Sequence, residues 1–246
     1  GGAGGGSQTH RGGQGGGAIK LVATNVITLN ADIIADGEDG ENLASDDGSG
    51  AGAGGSIWLD AATITGAGNL SANGGEGSRR SGHGSGGHIA LYYNVNALSG
   101  TLSSKASGCT TSCGASDRFG GSGSIYTRDK TDTDGGILTF SNGAVTGGTI
   151  YEFDGSKLLN DLKIKEFNIT DNTFMIWKVN TGATTAIVDF TLDNTSYVSL
   201  DGVAKNGGAI QTAGGTPIAG GGGFGSTGDE GGGGAHGGNG GSSDTS

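Results

Sequence analysis

The chain has 246 residues, of which 58 are glycine and a single one, Pro217, is proline; the glycines follow no three-residue period, which excludes a collagen-type triple helix. Thirteen Lys and Arg stand against 24 Asp and Glu, for a net charge of −11 with no basic run. That balance lacks the footprint of a nucleic-acid binder, which releases counterions from phosphate by presenting clustered cations.

No apolar stretch approaches the roughly 20 residues needed to span a bilayer, so no membrane span is expected. The chain opens Gly1-Gly2-Ala3 without the charged and apolar regions of a signal peptide, the expectation for a numbering that starts after such a peptide or inside a longer protein.

The first half repeats. Strands are predicted at Ile19-Lys20-Leu21-Val22-Ala23, Ile57-Trp58-Leu59-Asp60-Ala61, Ile89-Ala90-Leu91-Tyr92-Tyr93 and Ile125-Tyr126-Thr127, and their first residues lie 38, 32 and 36 apart. A second element follows each of the first three: Ile33 to Gly37, Leu70 to Gly74 and Leu102 to Ala106. One repeat therefore reads strand, short turn, strand, glycine-rich arm, with repeats near 19–56, 57–88 and 89–124. Alternation puts Ile19 and Leu21 on one face, with Ile57 and Leu59 stacked beside them, so that apolar surface is buried between neighbouring repeats. The arms, residues 36–56 and 73–87, have almost no side chains with which to build a core. They are either flexible loops or extended strands packed through glycine, and composition leaves both open.

From residue 137 to 206 the texture changes: 6 glycines in 70 residues and 8 of the chain's 14 aromatics. Leu138 with Phe140, Leu162 with Ile164, Phe167 with Ile169, Val188 with Phe190 and Leu192, and Val198 with Leu200 alternate with polar residues, a strand signal throughout. Leu158 to Lys165 can also be read as a short helical segment. Three regions result: a glycine-rich repeat region over 1–136, a better-packed β region over 137–206 and a glycine-rich tail over 207–246. The fold class expected is all-β, a glycine-rich β-solenoid or β-helix-like stack with extended glycine-rich arms.

Residues 54–59 (Gly-Gly-Ser-Ile-Trp-Leu), 66–75 (Gly-Ala-Gly-Asn-Leu-Ser-Ala-Asn-Gly-Gly), 86–93 (Gly-Gly-His-Ile-Ala-Leu-Tyr-Tyr) and 123–126 (Gly-Ser-Ile-Tyr) carry a further signal. They resemble the glycine-rich repeat regions of very large bacterial secreted and surface proteins, over about residues 1–140 and again in the tail at 231–241. The resemblance implies a β-solenoid stalk or adhesin role at a cell surface, and it carries no catalytic residue with it.

Candidate chemistry is sparse. Cys109 and Cys113, the only cysteines, sit close together in a Gly/Ser/Thr loop, the pattern of a small disulfide loop in an oxidising compartment. Half of a zinc site is the competing reading, and no second pair follows at ligand spacing. Asp129, Asp132 and Asp134, closed by Gly135, offer the hard oxygens and turn glycine of a calcium loop. Lys130 stands where that pattern places a carboxylate and no bidentate Glu follows, so an ordinary acidic turn competes. Asn69, Asn168 and Asn194 each head an Asn-x-Ser/Thr glycosylation pattern. His10, His83, His88 and His236 lie in or beside glycine-rich arms without triad or zinc-protease spacing. The carboxylates Asp36, Glu38, Asp39, Glu41, Asp46 and Asp47 lie in a glycine-rich arm, whereas glycoside cleavage needs a carboxylate pair on rigid elements across a cleft.

The expected function is that of a non-enzymatic extracellular structural protein, a subunit or repeat module of a filament, stalk or adhesin. Its expected partners are copies of itself and cell-surface polysaccharide, with no cofactor other than calcium. The alternative is a carbohydrate-binding or carbohydrate-cleaving β-helix, which requires aromatics and carboxylates converging on one exposed groove. The glycine-rich segments at the two ends, Gly1 to Gly17 and Gly214 to Ser246, are the expected joint between copies, because neither carries enough apolar surface to offset its own ordering entropy.

Overall fold

A computed structural model describes residues 1–6, 10–41, 49–77, 81–105, 120–143, 151–154, 163–178 and 187–201. Every regular element among them is a β-strand. Each of the three repeats contributes three strands. The first of each trio are β1 (Ala18–Val22), β4 (Ser56–Asp60) and β7 (His88–Tyr93); the second are β2 (Val26–Leu29), β5 (Thr63–Gly66) and β8 (Val95–Leu98); the third are β3 (Ile33–Ile34), β6 (Leu70–Ser71) and β9 (Leu102–Ser103). Like strands pair in parallel, giving the three-stranded sheets β2-β5-β8 and β3-β6-β9, while β1, β4 and β7 continue into β10 (Gly123–Asp129). Ile19, Ile57, Ile89 and Ile125 are successive partners in that register.

The structure adds a middle strand, β2, β5 or β8, to each repeat where the sequence pattern predicts a short turn. Val26-Ile27-Thr28-Leu29 is a β-branched run with Ile27 and Leu29 buried, the ordinary mark of a half-buried strand. The three strands of a repeat enclose one core: Ile57, Leu59, Ile64, Leu70, Ile89 and Leu91 are all fully buried in it.

The β-solenoid expected from the repeats is not what the chain forms. Beyond β10 come β11 (Gly136–Ser141), β13 (Ile164–Thr170) and β15 (Asp189–Leu192), and they complete a seven-stranded sheet of order β1-β4-β7-β10-β11-β13-β15. That sheet is mixed. The β10–β11 pair is antiparallel, while every other described pairing in it is parallel. No coil therefore closes continuously around one core.

The reason is visible in the pairing. Residues paired across neighbouring strands share a face of the sheet. Tyr126 pairs with Leu138 and Ser124 with Phe140; Leu138 pairs with Phe167 and Phe140 with Ile169; Phe167 pairs with Phe190 and Ile169 with Leu192. Leu138 and Phe140 of β11, Phe167 and Ile169 of β13, and Phe190 and Leu192 of β15 thus share a face with Trp58 and Tyr126, opposite to Ile57 and Ile89. At the β10–β11 hairpin the core changes sides, and Tyr126 at that junction is itself buried, its hydroxyl donating to the Lys163 carbonyl at 2.8 Å. Phe140 and Phe167 meet at 5.7 Å between ring centroids, and Phe167 stacks on Phe190 at 5.8 Å. The boundary read at residue 136/137 falls within this hairpin.

The chain divides into two compact units. The first comprises Gly1–Tyr151, Asp161–Met175 and Ala186–Val198; the second comprises Glu152–Asn160, Ile176–Thr185 and Ser199–Ser246. Described residues of the second unit are 152–154, 176–178 and 199–201, the ends of β12 (Tyr151–Asp154), β14 (Phe174–Lys178) and β16 (Tyr197–Asp201). These strands form a three-stranded sheet of order β12-β14-β16. Ile164 and Lys165, read alternatively as helical, lie in β13. Leu158 to Leu162 and the tail from residue 202 lie outside the described residues.

Candidate self-assembly surface

The glycine-rich arms are where the chain departs furthest from an ordinary β protein. Between flexible loops and glycine-packed extended strands, the described parts are the second. Extended segments lie side by side and bond through their backbones in relay: Glu38 N–H donates to the Gln14 carbonyl, Gly52 to Glu38, Gly75 to Gly52 and Gly84 to Gly75, at 2.8 to 2.9 Å. Such approach requires glycine. A Cβ on Gly37 or Gly84 would collide with the Gly52 carbonyl oxygen, and one on Gly52 with that of Gln14.

The N-terminal segment belongs to this layer. Gly4 N–H donates to Gly13 O, Gly13 to Gly50 and Gly16 to Ala53, at 2.8 to 2.9 Å. Among the described residues of Gly1 to Gly17, expected to be ordered by a neighbouring copy, these backbone partners lie in the same chain; Gly214 to Ser246, the other half of that expected joint, lies outside the described residues.

Polar ladders tie one repeat to the next. Asn69 donates from N–H and Nδ2 to Asp32 Oδ1, at 2.8 and 2.9 Å, and its Oδ1 accepts from Thr101 N–H and Oγ1 at 2.9 and 2.8 Å. One turn further, Asp36 Oδ1 accepts from Ser71 Oγ and Asn73 N–H, each at 2.6 Å, and Asn73 Oδ1 accepts from Ser103 Oγ and Lys105 N–H. Asn69 is thus exposed, yet both ends of its amide are engaged in the ladder. Asn168 lies within β13, and Asn194 is exposed in the turn after β15.

Asp129, Asp132 and Asp134 form the turn that reverses the chain between β10 and β11. Asp129 Oδ1 accepts from Thr131 N–H and Oγ1 at 2.8 and 2.6 Å, and these bonds hold its carboxyl below the usual range. Asp132 accepts the Asp134 N–H at 2.8 Å and pairs with Lys165 Nζ at 3.2 Å, which lowers it likewise. Among the described residues no group of three His, Cys, Asp or Glu side chains is placed to hold a metal. Cys109, Cys113, Asp46, Asp47 and His236 lie outside the described residues.

The other arm carboxylates are occupied structurally. Arg11 N–H donates to Glu41 Oε2 at 2.8 Å and its Nε to Oε1 at 3.0 Å, which lowers the Glu41 carboxyl, and Asp39 Oδ1 accepts the Glu76 N–H at 2.6 Å. His83 and His88 are both shifted toward the neutral form by burial, and His88 Nδ1 lies 2.8 Å from Ser124 Oγ. Of the exposed aromatics among the described residues, Phe190 and Tyr197 lie on β15 and β16, while Trp58 of β4 is stacked on Tyr92 of β7. Trp58 stands between Lys20, whose Nζ is 4.8 Å from its ring, and Tyr92, stacked at 4.7 Å, while nearby Asp60 is paired to Lys130 at 2.8 Å.

What remains open is the edges. β1, β2 and β3 each end their sheet. Ile19 is 38% exposed where its ladder partners Ile57 and Ile89 are 1% exposed, and Val22, Val26 and Ile34 on the same three strands are exposed as well. At the far edge of the seven-stranded sheet, Phe190 and Leu192 of β15 are exposed, with Val188 just before them. Repeat spacing names the ladder but not which of its strands lies at a sheet edge.

No family model, no curated protein and no solved structure matches the chain. Among the described residues no helix is long and apolar enough to cross a membrane.

Proposed function

We propose that this chain is an extracellular structural protein, a subunit or module of a filament or stalk that assembles with copies of itself. The observation that carries the reading is the ladder end: Ile19, in register with buried Ile57 and Ile89 and partly buried Ile125, is exposed on a strand that ends its sheet among the described residues. Monomeric β proteins blunt such edges with charge, proline or bulges. β1 carries one charge, Lys20, and no proline. The glycine layer and the polar ladders fit the same role, since they stiffen a chain with a thin core by backbone and amide hydrogen bonds. The extracellular setting is supported by the Cys109/Cys113 pattern and by the resemblance to secreted surface repeats.

Negative-stain microscopy of the purified chain over a range of concentration and pH tests the proposal. Fibres of uniform width are expected; particles that stay monomeric under every condition overturn it.

A further inference from the structure

We infer that copies join by antiparallel pairing of β15 of one copy with β1 of the next, an inference that rests on the self-assembly reading above. Both are edge strands of the same seven-stranded sheet. Because only the β10–β11 step is antiparallel, β15 runs opposite to β1, so sheets laid edge to edge in one orientation bring these strands together antiparallel.

Their side chains match by face. Phe190 and Leu192 of β15 share the sheet face of Trp58, as shown by the partner series through Phe167, Leu138 and Tyr126. On β1 that face belongs to Lys20, which pairs with Trp58, and to Ala18 and Val22 beside it. Val22 is 64% exposed, Phe190 50% and Leu192 43%. Three apolar side chains left in water at opposite ends of the molecule therefore lie on the one face where joining would bury them together. Exposed apolar groups grouped in this way mark interaction surfaces.

The molecule already contains this kind of junction. At β10–β11 an antiparallel pairing sets Leu138 and Phe140 beside Tyr126 and Ser124, and the core passes from one face of the sheet to the other. A β15–β1 joint repeats that step, returning the core to the face of Ile19 and Leu21 in the next copy. The pairing is heterologous, so it propagates instead of closing a dimer.

Cysteine cross-linking of full-length chains tests the joint. V22C and F190C alter exposed side chains, and facing residues of an antiparallel pair, about 4.5–5.5 Å apart at Cα, fall within disulfide reach. Mixing the two singly substituted chains under mild oxidation should give a cross-link between positions 22 and 190 by peptide mass mapping; L192C in place of F190C covers a two-residue difference in register. The unsubstituted chain controls for Cys109 and Cys113. In addition, F190K should raise the critical concentration for assembly about tenfold or more, since it sets a charge in the buried patch. A cross-link formed by V22C alone as readily as by the mixture would mean a two-fold β1–β1 contact and overturn the inference. Fibres without any 22–190 or 22–192 link, or fibres unaffected by F190K, would overturn it while leaving the self-assembly reading standing. Absence of fibres in the unsubstituted chain would end both.

Discussion

Gly52→Ala tests the glycine layer at its centre. The added Cβ would lie 1.8 Å from the Gln14 carbonyl oxygen, where ordinary contact begins at 3.4 Å, so one backbone must retreat by about 1.6 Å. The obstacle is backbone, which cannot swing aside as a side chain can. That retreat breaks or strains three hydrogen bonds: Glu38 N–H to Gln14, Gly52 N–H to Glu38 and Gly75 N–H to Gly52. At a net ~0.5–1.5 kcal/mol each the loss comes to about 1.5–4.5 kcal/mol, overlapping the ~1–3 kcal/mol typical of overpacked interiors. Gly17→Ala is the control. A Cβ there meets nothing within 4 Å and Gly17 has no left-handed φ, so the change should be neutral or stabilising by up to ~1 kcal/mol through the unfolded chain. Urea unfolding followed by circular dichroism measures both. If the two variants unfold within roughly 0.5 kcal/mol of each other, the arms are not packed as described.

Ile57→Ala removes a fully buried ladder residue and should cost ~2–5 kcal/mol, whereas Ile19→Ala, at the exposed end of the same ladder, should cost less than about 1.5 kcal/mol in the dispersed chain; equal losses would show that the ladder has no open end. The Asp193 carboxylate accepts the Asp171 N–H at 2.6 Å and the Thr195 N–H at 3.0 Å, and its pKa is lowered to about 2. Its contribution is therefore complete above the unfolded value near 4 and is lost as pH falls toward 2. A carboxyl resonance of Asp193 titrating near 4 would contradict this, and Asp193→Asn should flatten the acid limb of the stability curve over that window. For Cys109 and Cys113 the expectation is a disulfide, read as a two-hydrogen increase in intact mass on reduction; two free thiols in the native protein would end it.

The repeats were legible because parallel stacking demands equivalent residues at equivalent places, and the isoleucines at 19, 57, 89 and 125 are such a set. The same regularity led the fold reading astray. Alternation along Leu138-Thr139-Phe140 shows that one face is apolar, but a period of two cannot say which side of a sheet that face takes. The change of side depends on register, which pairs Tyr126 with Leu138 and not with Ile137, and register in a hairpin is set by the turn, here the short acidic one after β10. Asp129 to Gly135, whose pattern fits a calcium loop or an ordinary acidic turn, spends two of its carboxylates on capping its own backbone N–H groups, which is what a tight reversal requires. The arms illustrate a different limit. Glycine composition is equally compatible with freedom and with close approach, and what distinguishes them is the partner backbone, which lies up to 51 residues away in sequence, as between Ala53 and Gly2.

These features constrain one another. A core confined to two or three apolar residues per strand leaves little surplus over the entropy of ordering a glycine-rich chain. The deficit is met by bonds that need no side chain: the relay from Gln14 to Gly84 and the amide ladders through Asn69 and Asn73. Such bonds gain most when every member has a neighbour on both sides, so an end strand is the least stable part of the stack. Among the described strands β1 bonds to β4 alone and β15 to β13 alone. In the proposed joint each would gain backbone bonds from the other and bury Val22, Phe190 and Leu192, so that a fibre would leave the fewest edges.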